Sequence, residues 1–383
     1  MSLPTPTVPT LITDGPALRA LVERLALAPR VALDTEAASF HRYVDRVYLV
    51  QASSDQESAL IDPLLVADLA PIGRLLADPT IEIVFHDADY DLRILHRDYG
   101  FVGRHIWDTR VAAQLCGEPA FGLSALLEKH FGVRLSKQLQ RADWSQRPLT
   151  DAMIAYAAAD TAYLPALRDR LAEQLATLGR THWAEEEFVR LEAVRWSPRA
   201  AEGEEFLSVK GAKALRPAQL MVLRALWEWR DARARAQDRA SFRVLGADIL
   251  LALAREAPET LEALLRTRAV PESIARRHGA ELIEVIRAAR ATPESEWPRV
   301  ERRPRQRPDP ELEERVGRLK VLRAAQAPAV GLDPGLIGAN AVLVAIARAA
   351  PRSAADLDAV PDLRRWQREI LGDEALLAAV AQG

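Results

Sequence analysis

The segment Val31-Ala-Leu-Asp34-Thr-Glu36 places two carboxylates two positions apart at the end of an apolar run. Along a strand, residues i and i+2 point to the same face, so Asp34 and Glu36 project together. Two adjacent acids repel each other and lose hydration unless a cation lies between them. An all-oxygen donor set suits a hard divalent ion such as Mg²⁺ or Mn²⁺. A lone Asp-x-Glu is equally the pattern of a strand edge whose acids face water.

Two further groups follow. Phe85-His86-Asp87-Ala-Asp89-Tyr-Asp91-Leu92 gathers acids where an apolar strand gives way to a helix. Asp87 and Asp89 are explicable there as capping or dipole-facing acids. Asp91, in the first turn, is placed to face the same cleft as Asp34. Farther on, Tyr156-Ala-Ala-Ala-Asp160 sets a phenol and a carboxylate four apart, on one side of a helix. Taken alone, it also fits a core tyrosine beside a solvated aspartate.

The elements that must carry these groups show in the periodicity. Val31–Glu36, Val47–Ser53, Ser58–Ile61 and Ile81–Phe85 read as strands. Pro63–Asp78, Tyr90–Tyr99, Asp108–Cys116, Gly122–Phe131 and Thr150–Leu178 read as helices. Strands first adjacent and then separated by helices predict a mixed α/β sheet flanked by helices. From about Trp183 strand signals vanish. Leu215–Arg235, Ala247–Glu256, Glu259–Thr267 and Pro271–Ala289 read as helices, and Glu311–Gly383 as a further helical block. Between them, Pro298–Pro310 holds five arginines and four prolines, the composition of a linker.

The two helical blocks echo each other. Leu250–Pro258 (LLALAREAP) and Leu343–Pro351 (LVAIARAAP) lie 93 residues apart, and Ala269–Pro271 and Ala359–Pro361 (both AVP) lie 90 apart, which predicts a duplicated unit. Charge divides along the same line. Residues 1–198 carry 20 Lys and Arg against 27 Asp and Glu, whereas 199–383 carry 31 against 27. An acidic half that holds metal beside a basic half that holds phosphate suits a nuclease, although any multidomain chain can show such an imbalance. Lys210, Lys213, Arg216, Arg224, Arg230, Arg233, Arg235, Arg239 and Arg243 crowd the start of the basic half, interleaved with acids such as Glu228 and Asp231. The single cysteine, Cys116, excludes an intrachain disulfide. No basic start followed by an apolar stretch and no bilayer-length apolar run occurs, so a cytoplasmic protein without a membrane partner is expected.

Taken in order, Asp-x-Glu on a strand, a His-containing HxxxxD after an apolar strand, and YxxxD on a helix resemble the tyrosine subclass of the DEDD 3′-5′ exonucleases. Trp107-Asp-Thr-Arg, Gly122-Leu-Ser-Ala-Leu and the segment LSKQLQRADWSQRPL from Leu135 to Leu149 resemble the ribonuclease D branch. Asp238-Arg239-Ala-Ser-Phe242-Arg-Val-Leu and its surroundings are similar to the helical HRDC module, and the last block resembles a divergent second copy. The resemblance implies a ribonuclease H-like α/β exonuclease domain over 1–195, an HRDC domain over 205–292, the linker 298–310 and a second HRDC-like domain over 311–383.

It further implies that Asp34, Glu36, Asp91 and Asp160 hold two divalent ions, Mg²⁺ or Mn²⁺, for an in-line displacement at phosphorus. Tyr156 would orient the attacking water, and Glu36 would touch the terminal 3′-OH. His86 is expected to be structural rather than a ligand. Lys137, Gln140, Trp144 and Arg147 are candidate contacts for the leaving strand. The implied substrate is RNA with a free 3′ end, above all transfer-RNA precursors, and the implied product nucleoside 5′-monophosphates. The family often has small or neutral residues where Asp87 and Asp89 stand, so those acids are potential competitors for metal. The rival readings are a DNA exonuclease with the same acids and a non-catalytic nucleic-acid-binding protein. Deletion of residues 205–383 is expected to weaken binding of structured RNA more than cleavage of short oligonucleotides.

Overall fold

The computed structural model describes residues 9–136, 138–198, 203–300 and 309–381. The first half runs β1 (Thr10–Ile12), α1 (Gly15–Leu25), β2 (Arg30–Ala37), β3 (Val47–Ser53), β4 (Ser58–Ile61), α2 (Ala70–Ala77), β5 (Glu82–Phe85), α3 (Asp89–Tyr99), β6 (Ile106–Asp108), α4 (Thr109–Leu115), α5 (Leu123–Phe131), α6 (Asp151–Ala162), α7 (Leu164–Thr177) and α8 (Thr181–Leu191). The strands form one mixed sheet in the order β1-β4-β3-β2-β5-β6. The β2-β3-β4 meander is antiparallel, and β1, β5 and β6 add parallel to it.

Alternation along β2 divides its side chains between two cores. Val31 and Leu33 pack with Leu18 and Leu21 of α1 and Ile72 and Leu76 of α2 on one face. Ala32 faces the other way, toward α4 and α7. On that second face Leu49 of β3 and Leu60 of β4 meet Met153 and Ala157 of α6. Asp34 and Glu36 share the parity of Ala32, so the sheet delivers them beneath α6.

Several elements depart from the periodicity. The helix expected over Thr150–Leu178 is two helices separated at Tyr163, because Pro165 lacks the N–H that a continuous helix would need there. The helix expected over Pro63–Asp78 begins only at Ala70, since Asp62 and Asp68 accept from the backbone N–H of Leu64 and Ala70 and hold turns before it. The three-residue strands β1 and β6, and helix α1, were not among the expected elements.

The second half is helical among the described residues, and its two units correspond element by element. Ser241–Val244 and Ala247–Glu256 recur as Pro334–Ile337 and Asn340–Ala349. Both longer helices end on an alanine at φ 44°, Ala257 and Ala350, followed by proline. Thr260 and Ser353 then cap the next helix with their side chains. The copies diverge at the end: Glu272–Ala291 is one helix, whereas its counterpart breaks into Arg365–Leu371 and Asp373–Ala381 at Gly372, φ 79°. Of the arginine-rich segment, residues 301–308 lie outside the described residues, and its last two residues open a helix, with Asp309 as cap and Pro310 as first residue.

Each unit docks on the first half differently. The first meets the β2–β3 loop: Ala240 N–H donates to the His41 carbonyl at 3.1 Å, and the Tyr43 hydroxyl to Asp231 at 2.9 Å. The second shares a hydrophobic core with α4, α7 and α8. There Trp183 stacks on Trp366 at 5.5 Å, and the Trp366 indole N–H donates to Glu187 at 2.8 Å. No single described helix is long and apolar enough to cross a membrane.

Candidate active site

One carboxylate oxygen from each of Asp34, Glu36 and Asp160 falls within 4.8 Å of the others. β2 supplies the first two. α6 supplies Asp160, and its small Ala157 and Ala158 bring that helix onto the sheet at Leu49 and Leu60. Asp91 enters from the first turn of α3. Thr35, turned away from its two acidic neighbours by strand alternation, donates its hydroxyl to Asp91 Oδ1 at 2.5 Å. Asp91 is therefore anchored rather than one of the tight trio, and its charge still acts on Asp34 and Glu36.

Among the described residues no lysine or arginine forms an ion pair with Asp34, Glu36, Asp91 or Asp160, and their protonation reflects burial and mutual repulsion. Burial first, then the charge of Asp160, holds the Asp34 carboxyl well above the usual carboxylate range. Burial and the Asp34 charge push Glu36 up to about 10, and burial pushes Asp160 up to about 7. Burial and Asp34 likewise raise Asp91. Four acids that resist ionisation together, with only oxygen donors, fit hard divalent cations and nothing softer. Tyr156 opens onto the same cleft of about 450 Å³, with His86, Arg110, Ser124 and Gln140 on its walls. Burial and the Asp160 charge raise its phenol above the ordinary tyrosine range, so it stays a donor.

The neighbouring acids Asp87 and Asp89 are outside the tight trio and each has an arginine partner. Asp87 ion-pairs with Arg110, and Asp89 with Arg93 at 2.7 Å. Neither donates a capping oxygen to α3, although Asp89 stands in its first turn, where an acid faces the helix dipole as expected. That task falls to Asp108, whose buried carboxylate accepts from the backbone N–H of Ala88 at 2.8 Å and from Arg110 N–H of the next helix at 2.8 Å. Within Trp107-Asp-Thr-Arg the sequence assigns Asp108 no role; its position directly before a helical run is the signal for a cap. His86 is structural. The Thr109 hydroxyl donates to the Phe85 carbonyl at 3.1 Å, so His86 Nδ1, 2.8 Å from that oxygen, is the donor to it. Burial and the Arg110 charge lower His86 to about 4.

Two expected strand contacts are corrected. Trp144 is 1% exposed and packs on the Tyr156 ring at 5.9 Å, so it buttresses the tyrosine from behind and offers no face to a base. Arg147 has no donor left for phosphate: it binds both Asp62 oxygens and the carbonyls of Tyr48, Trp144 and Gln146. Gln140 does line the cleft, and Lys137 lies outside the described residues. Of the arginines at the start of the basic half, Arg224, Arg233 and Arg235 are paired with Glu228, Glu281 and Asp231.

A mixed sheet presenting three convergent carboxylates, a fourth beside them and a helix-borne tyrosine defines a metal-dependent exonuclease. The chain matches a family model described as 3′-5′ exonuclease over residues 9–176, and one described as HRDC domain over 219–286 and again over 313–380. The ribonuclease D of Gluconacetobacter diazotrophicus is 35% identical over 376 residues, covering 96% of this chain and 92% of that protein. That of Escherichia coli is 32% identical over 289 residues, 75% of this chain and 76% of its own length. The crystal structure of Escherichia coli RNase D, described as an exoribonuclease involved in structured RNA processing, superposes with a TM-score of 0.72 at 27% identity, over 98% of this chain and 99% of that one. The chain belongs to the ribonuclease D family and is a 3′-5′ exoribonuclease with tandem HRDC domains.

Proposed function

We propose that the chain trims the 3′ ends of transfer-RNA precursors, with Asp34, Glu36, Asp91 and Asp160 holding two divalent ions, Mg²⁺ or Mn²⁺. The observation that carries the metal-dependent part of this reading is the trio of carboxylates within 4.8 Å, all raised first by burial and, for Asp34 and Glu36, by their acidic neighbours. When bound, such ions activate water and neutralise charge on the scissile phosphate and the leaving 3′ oxygen. The protein's own groups do the rest. Tyr156, protonated and backed by Trp144, hydrogen-bonds the attacking water and fixes its line of approach. Glu36, the second acid of the Asp-x-Glu pair, accepts from the terminal 3′-OH, which restricts attack to chain ends. Thr35 keeps Asp91 from rotating out of the site. Each turn releases a nucleoside 5′-monophosphate.

We divide the chain into an exonuclease domain over 1–195, HRDC domains over 205–292 and 311–383, and the arginine-rich connector between the latter. The family model boundaries and the repeated Ala257 and Ala350 helix ends support that division. Digestion of a 3′-extended transfer RNA tests polarity, sugar preference and stopping point together. Mononucleotide release that stops at the mature end is expected, and Asp34→Asn or Asp160→Asn should abolish it. Unchanged release by both variants overturns the assignment of the acids.

A further inference from the structure

The β2–β3 loop begins after Ala37, the neighbour of Glu36 at the end of β2, and carries a phenylalanine out into solvent. Phe40 is 43% exposed, and Phe242 of the first HRDC unit, 53% exposed, meets it edge to face at 6.2 Å. Lone exposed apolar residues are ordinary, but two adjacent aromatic rings brought together across a domain boundary are not. An arginine stands over each ring: Arg141 at 5.2 Å from the Phe40 centroid and Arg243 at 6.0 Å from that of Phe242. Both arginines are exposed, and neither has a carboxylate partner among the described residues. Arg42 in the same loop, by contrast, is taken up by Asp238 at 3.2 Å.

The arrangement is held in place. Arg243 Nε donates to the Phe40 carbonyl at 2.5 Å, and His41 Nε2 lies 2.9 Å from the Arg141 carbonyl. It also adjoins the catalytic cleft on two sides. Gln140, next to Arg141, lines that cleft. Phe40 follows Glu36 by four residues, which limits their Cα separation to about 14 Å even for a fully extended chain.

We propose that Phe40, Phe242, Arg141 and Arg243 form a platform for the single-stranded RNA upstream of the scissile bond, beyond the nucleotide that adjoins the one being removed. Exposed rings stack bases of any identity, and unpaired guanidinium groups pair with the phosphates between them, which is how sequence-tolerant strand binding is built. The 3′ end enters the acidic cleft while the strand behind it is held on a surface shared by the exonuclease domain and the first HRDC unit. The HRDC domain thereby contributes directly to the substrate path. The proposal rests on the cleft assigned above.

The test uses the full chain with Mg²⁺ and two RNAs: a twelve-nucleotide single strand that reaches the platform and a dinucleotide that does not. The double variant Phe40→Ala/Phe242→Ala should raise KM for the longer RNA by about tenfold or more, as expected for lost stacking, while dinucleotide turnover stays within about twofold. Phe40→Tyr/Phe242→Tyr should restore the lost affinity. Arg141→Ala/Arg243→Ala should flatten the salt dependence of KM for the longer RNA alone. Equal effects on both RNAs, or an effect that tracks a lowered melting temperature and is not rescued by tyrosine, make the rings a structural staple and overturn the platform. Failure of the wild type to degrade either RNA removes the nuclease reading, and the platform with it.

Discussion

Thr35 and Asp91 join the two walls of the catalytic cleft: a strand hydroxyl that faces away from the acidic pair reaches the first turn of α3 and takes one oxygen of its carboxylate at 2.5 Å. The residue between the two acids of Asp-x-Glu thus fixes a third acid, and its identity should matter as much as theirs. Thr35→Val keeps the shape and removes the donor. It should weaken Mn²⁺ binding by roughly 10–100-fold, measured by calorimetry, and lower kcat with little change in KM. Thr35→Ser should restore most of both.

Metal-free stability should depend on pH in an unusual direction. Glu36 and Asp160 titrate at about 10 and about 7 in the folded protein, well above their ordinary range near 4. Folding therefore favours the protonated forms, and the stability they contribute, complete at low pH, is lost as pH rises through those values. The melting temperature in EDTA should fall between about pH 5 and pH 8. Mg²⁺ or Mn²⁺ should reverse the fall, by an increment that grows with pH, because the ions displace protons. An EDTA melting profile that rises over this interval contradicts the ion-free cluster described.

Removing the phenol tests whether it acts on the water or merely packs. Tyr156→Phe preserves the contact with Trp144 at 5.9 Å and deletes only the hydroxyl. A drop in kcat of about 100-fold, with KM and melting temperature close to wild type, is expected. A loss confined to KM places the hydroxyl on the substrate instead.

Arg147 should be a stability residue. Asp62, 1% exposed, depends on it, so Arg147→Met leaves a buried carboxylate unpaired and should cost about 3–5 kcal/mol in denaturant unfolding. The RNA salt dependence of the folded fraction should match wild type. A reduced salt slope at unchanged stability would restore the phosphate contact that the hydrogen bonding denies.

Gly117 offers a gentle probe of the second HRDC unit. A side chain there would lie 2.8 Å from the Gly331 carbonyl, at a backbone φ of 78°. Gly117→Ala should destabilise the fold by about 1–3 kcal/mol, read as a melting shift, and reduce oligonucleotide cleavage only in proportion to unfolding. For the same reason deletion of residues 205–383 is not a clean test of RNA grip, since it strips the shared core from α7 and α8.

The chemistry was legible because it is local: parity along β2, the turn at Asp91 and the four-residue spacing on α6 each set the direction of a side chain from sequence alone. What stayed hidden depends on partners distant in sequence. Nothing near Arg147 announces that Asp62 and the Tyr48 carbonyl will consume its donors, and nothing near Trp144 that Tyr156 will cover it. β1 and β6 escaped because each is three residues long and owes its conformation to pairing with β4 and β5. The duplication was readable from two short matches. The copies keep the offset of 93 as far as the capping residues Thr260 and Ser353, and the AVP pair drifts to 90 because the stretch from cap to AVP is three residues shorter in the second copy.

The stack of Trp183 on Trp366 bears on how the protein comes into being. The exonuclease half is completed by side chains made later than its own, so a nascent chain should present an unfinished, adhesive α8 surface until the second HRDC unit closes over it.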